Sequence, residues 1–97
     1  MTQQIDETLR GKLEELLLQR YPKTLCPSEI PRSFNCDQLN EMGALTWRDL
    51  MPYMRDIVWD LREQRRVDVL QNGKVITGYV QLKDVKGPIR VKQRAGL

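Results

Sequence analysis

The chain predicts an α+β fold with helices first and a small antiparallel sheet last, on three observations. Apolar residues recur at Ile5, Leu9, Leu13, Leu16 and Leu17, the rhythm of a helix with one buried stripe. A second helical pattern gathers Trp47, Leu50, Met51, Met54, Ile57, Val58 and Leu61 in one broad arc and ends near Gln64-Arg65-Arg66. It runs directly into Val67–Gln71, the turn pair Asn72-Gly73, Lys74–Thr77, and finally Gly87-Pro88-Ile89-Arg90-Val91-Lys92. Helix, strand, basic wing and strand form the back half of a winged helix. The expected architecture is therefore three main helices followed by a two- or three-stranded antiparallel hairpin wing.

The first helix ends at Tyr21-Pro22, because the residue before proline is pushed out of helical geometry. Thr24-Leu25-Cys26 reads as a short extended segment. Ser28 is expected to cap a short helix from Glu29 to about Phe34, with Pro31 tolerated in its first turn. Asn35–Leu45 reads as a connection carrying one helical turn around Gln38–Met42. Thr46-Trp47-Arg48-Asp49 has the form of a capping box that starts the long helix. Pro52 lies inside that pattern and predicts either one bent helix or two abutting ones. Asn72-Gly73 between alternating segments is a strong hairpin signal, since both central positions of a type I′ turn need positive φ. Gly78 and Gly87 bound a further segment, Tyr79–Asp84, which could add a strand.

With 97 residues the chain supports one domain, expected over 1–97 with its core at about 5–92 and a flexible tail at 93–97. No apolar run approaches the ~20 residues that span a bilayer, and the first residues lack a secretion signal. An intracellular location is expected, cytoplasmic or, in a eukaryote, nuclear. Cys26 and Cys36 are the only cysteines and histidine is absent, so a four-ligand structural zinc site within one chain is excluded. The thiols are expected reduced and buried. Without histidine, an oxyanion motif or a Gly-rich phosphate cradle, the expectation is a protein that is not an enzyme and uses neither cofactor nor metal.

Four stretches carry a family resemblance: Leu25-Cys26-Pro27-Ser28-Glu29-Ile30, Trp47-Arg48-Asp49-Leu50-Met51-Pro52, Met54-Arg55, and Gly87-Pro88-Ile89-Arg90. Their order and spacing, over roughly residues 6–92, resemble a family of small proteins known as domain of unknown function thirty-two fifty-three. The resemblance implies a winged helix and brings no activity, substrate or cofactor. The chain departs from that pattern at Pro31 and in the Asn35–Leu45 connection.

The net charge of +3 is unevenly spread. Residues 71–97 hold six Lys/Arg against Asp84 alone, while residues 1–46 hold five against seven acids. Lys74, Lys83 and Lys86 in the wing, with Lys92 and Arg94 beyond it, are therefore the first candidates for phosphate contact. The same lysines would also guard an exposed sheet edge against pairing with another chain.

On the long helix, Arg48, Arg55, Arg62 and Arg66 project within about 40° of one another, with Trp59 beside them. Arg62 and Arg66 join the phosphate candidates, with Trp59 available for stacking. Asp49, Asp56, Asp60 and Glu63 fill the next arc and would repel phosphate, which favours internal pairing for the arginines. Glu29, Arg48, Arg55 and Arg90 are accordingly expected in structural ion pairs, Glu29 meeting an arginine of the long helix or Arg90. Trp47 is expected in the core.

Two partners are expected from these residues. The first is double-stranded DNA, held weakly through the basic wing. The alternative is a protein partner or second copy of the chain, suggested by Leu18 off the main stripe and by Tyr53, Trp59 and Tyr79 as exposed aromatics.

Overall fold

The computed structural model describes residues 3–94, with side chains from Gln4 onward. Helix α1 spans Gln3–Arg20, α2 Glu29–Arg32, α3 Cys36–Glu41 and α4 Met51–Glu63, the last preceded by a 3₁₀ turn at Trp47–Leu50. Strands β1 (Val67–Gln71), β2 (Lys74–Val75) and β3 (Arg90–Gln93) form one antiparallel sheet in the order β2-β1-β3. Helices followed by this sheet make an α+β arrangement compatible with a winged helix.

Leu9, Leu13 and Leu17 of α1 are fully shielded, and they pack with Met54, Ile57, Val58 and Leu61 of α4 in one core. The sheet closes that core with alternate residues: Val67 and Val69 of β1 are buried, as is Val91, which pairs with Val69 across the ladder. Leu25 adds a single bridge on the far side of β3, exchanging two backbone hydrogen bonds with Val91 at 2.8 and 2.9 Å. The short extended segment expected around Thr24–Cys26 is thus the sheet's fourth, one-residue contribution. Leu18 lies off the stripe and is 67% exposed, as its helical phase requires.

Of the two outcomes expected at Pro52 the structure takes the second: Pro52 sits in the first turn of α4, where its missing N–H costs nothing, and a 3₁₀ turn abuts the helix. Other local expectations change. The Asn35–Leu45 connection contains a full helix, α3, because Asn35 and Gln38 form a reciprocal capping box. Gly43, at φ 75°, closes it. Ser28 occupies the cap position of α2 without capping it. Its hydroxyl instead lies 3.1 Å from the Cys26 thiol, and the Glu29 carboxylate accepts the Cys26 N–H at 3.0 Å.

Asn72 (φ 54°) and Gly73 (φ 79°) take the paired positive φ of the expected hairpin turn. Tyr79–Asp84 is not a strand and carries only a 3₁₀ turn at Leu82–Asp84. Gln93, expected in the tail, pairs with Val67, and the Arg94 N–H donates to the Arg66 carbonyl at 3.2 Å. Residues 95–97 lie outside the described residues. No helix among the described residues is long and apolar enough to cross a membrane.

Candidate nucleic-acid interface

The arginines of α4 face inward, onto the wing. Residues Ile76–Ile89 run beside the helix largely without regular structure, so their carbonyls need partners outside a ladder. Positions 55, 59 and 62, spaced i, i+4 and i+7 on one helix face, supply them. Arg55 donates to the carbonyls of Val85 and Gly87 at 3.3 and 3.4 Å. The Trp59 indole donates to Val80 at 3.1 Å. Arg62 donates to Gly78 at 2.8 Å and to Ile76 at 3.3 Å, and its guanidinium lies 4.7 Å from the Trp59 ring centroid.

Arg62 is thereby withdrawn from the phosphate role expected for it; its side chain is only 11% exposed. Trp59, expected as an open stacking surface, is buried. Arg66 pairs with Glu14 of α1 at 3.2 Å, in an exposed contact.

The expected structural residues are internally engaged, but with different partners. Glu29 pairs with Arg20 of α1 at 2.8 Å, not with Arg90 or an arginine of α4. Burial pushes its carboxyl up, but the Cys26 N–H, Arg20 and the field of Arg90 outweigh this and hold it below the usual range. Arg90 donates to the Thr24 hydroxyl at 2.8 Å and to the Thr24 carbonyl at 3.3 Å. Arg48 lies over the Trp47 ring at 4.5 Å, with Arg32 at 5.5 Å from the same centroid. Trp47 is half-buried beside these two cations rather than in the core, and Tyr53 is likewise half-buried.

Lys74, Lys83 and Lys86 are exposed and form no ion pair among the described residues. Gln71, which sequence reasoning missed, brings two of them together. Its cross-strand neighbour is Lys74, while its side-chain amide donates to the carbonyls of Lys86 and Pro88. Beyond the wing, Lys92 lies opposite Asp68 in the β1–β3 register. Arg94 reaches Asp68 at 3.6 Å, so the charge of that end of the sheet is partly offset.

The outward side of α4 is acidic. Asp56, Asp60 and Glu63 are exposed, and Asp60 is matched by Arg10 of α1 at 2.9 Å. Arg10 is held further toward its charged form, first by its hydrogen bond to Asp6, against a burial effect, and then by Asp60. Asp49 is committed to the backbone, accepting from the N–H groups of Leu45 and Thr46 at 2.9 and 3.1 Å. No group of three potential metal ligands occurs among the described residues. Both thiols are free; Cys26 is half-buried, whereas Cys36, expected to be buried, is exposed at the start of α3.

The fold and this site define a small α+β protein, compatible with a winged-helix-like arrangement, whose basic C-terminal segment is fastened to α4. The chain belongs to the family described as a protein of unknown function (DUF3253), whose model matches residues 6–94. A comparison with curated proteins returned no match.

Proposed function

We propose that this chain is a non-enzymatic module that holds double-stranded DNA weakly by its phosphates, through the wing and not through α4. The observation that carries the reading is the contrast between two sets of cations. The arginines expected to meet phosphate, Arg62 and Arg66, are engaged by the protein's own carbonyls and by Glu14, whereas Lys74, Lys83 and Lys86 are exposed and without acidic partners among the described residues. A helix with an acidic outer side is repelled by the duplex backbone, while a lysine-bearing wing is attracted to it. Such binding is largely sequence-independent and strongly dependent on salt.

Fluorescence anisotropy with a random-sequence duplex at two salt concentrations tests this reading. Each phosphate neutralised steepens the dependence of log K on log salt by about 0.9, so changing all three lysines to Gln should flatten it by about 2–3. Absence of binding at low salt, or binding indifferent to salt, refutes the reading. A protein-interaction role is the second reading, favoured by Tyr79 and Val75, 108% and 45% exposed beside one groove of the wing. Under it, sedimentation shows a dimer or a pulldown from nuclease-treated lysate recovers a protein.

A further inference from the structure

A hollow of about 390 Å³ opens between the Cys26–Ser28 segment, the start of α4 and the Pro88-Ile89 turn. Every described residue that lines it belongs to one of the four stretches on which the family resemblance rests. None of the three wing lysines lines it, so it is separate from the proposed DNA surface.

Its walls include Pro27, Met51, Pro88 and Ile89, and its two charged members are Arg48 and Arg55. No carboxylate among the described residues lines it. The acids adjacent in sequence are occupied elsewhere: Glu29 by Arg20 and the Cys26 N–H, Asp49 by two backbone amides. Arg48 makes no hydrogen bond or ion pair among the described residues and rests only on the Trp47 ring. Arg55 gives two long bonds to carbonyls, at 3.3 and 3.4 Å, which leave part of its fork unused. Two arginines therefore line an apolar hollow that no carboxylate of the described residues shares.

We propose that this hollow binds a small monocarboxylate with an apolar body. The carboxylate would sit on Arg48 and Arg55, and the body would lie against Met51, Pro88 and Ile89. The planar guanidinium fork matches the two oxygens of a carboxylate. A phosphate dianion carries twice the charge and would need more donors than this mostly apolar lining offers to offset its lost hydration. The volume falls in the range of sites for small organic ligands, about 300–1,000 Å³.

The test uses 2-naphthoate as probe, with 2-naphthamide and inorganic phosphate as comparisons, followed by ¹H–¹⁵N NMR of the intact chain. Naphthoate should bind in one-to-one ratio and shift the Trp47 indole and the amides of Arg48 and Met51. The neutral amide and the Arg48→Gln variant should each weaken binding about tenfold or more, as loss of a charge-assisted pair does. Arg48→Lys should recover only part of the loss, since it restores charge without the fork. The proposal is overturned if naphthoate produces no shifts at millimolar concentration. It also fails if phosphate or naphthamide binds as tightly, or if the shifts centre on Lys74, Lys83 and Lys86. Loss of DNA binding in the triple lysine variant leaves naphthoate binding unaltered, so the two proposals fail independently.

Discussion

Replacing Arg62 with Met keeps most of the apolar stem and removes the guanidinium that fastens the wing to α4. Four interactions are lost with it. The bond to the Gly78 carbonyl, at 2.8 Å, is well formed, and a charged donor of this kind contributes about 1.5 kcal/mol, the lower end of its range because Gly78 is exposed. The longer bond to Ile76, at 3.3 Å, adds about 0.5 kcal/mol. Stacking on Trp59, at 4.7 Å, adds about 0.5–1 kcal/mol. The contact with Glu63 adds almost nothing, because that carboxylate is 57% exposed. Arg62→Met should therefore cost about 2–3 kcal/mol, measured by urea unfolding with an unaltered slope. For a domain of this size the melting temperature should fall by about 10–20 °C. Hydrogen exchange should quicken at the amides of Ile76 and Val80, which are tied to Val69 and Gly78. A loss under about 0.5 kcal/mol with unaltered exchange in the wing would refute the clamp.

Two further changes probe the helix ends. The Glu29 carboxyl lies below its ordinary value of 4.5, so its charged form stabilises the fold above that pH, and the contribution disappears as pH falls through the depressed value. Glu29→Gln should cost about 1 kcal/mol at pH 7, as loss of a charge-assisted hydrogen bond and a partly exposed ion pair does, and the gap between the urea midpoints should close as pH falls through the depressed value. An equal gap above and below that value counts against the carboxylate as the cause. Arg65 ends α4 at φ 63°, a left-handed position that strains a side-chain-bearing residue. Arg65→Gly should leave stability unchanged or raise it by about 0.5 kcal/mol in urea unfolding, and a loss above about 1 kcal/mol contradicts that assignment.

The elements that a local pattern encodes were legible. Leu9, Leu13 and Leu17 share a phase on α1, Asn72-Gly73 supplies positive φ to the hairpin, and Val67 and Val69 alternate with Asp68. The same phase analysis placed Arg55, Trp59 and Arg62 on one face, but it could not tell what that face meets. That depends on the chain returning through Gly78 and Gly87 to lay its carbonyls against the helix. α3 has no apolar period to mark it in the sequence, and its start is set by the Asn35–Gln38 cap. The wing lysines remained where counting put them, since exposed charge needs no partner to be read.

By itself, then, the sequence determined the helices, the hairpin and the excess of positive charge after residue 70, all of which rest on neighbours a few positions apart. Only the tertiary structure decided which cations are engaged and which are open. An ion pair or a capped carbonyl joins residues such as Arg20 and Glu29, or Arg62 and Gly78. Their meeting is set by packing and by turns, not by residue type. The Arg48–Arg55 hollow is the clearest case, because its walls come from three separated parts of the chain.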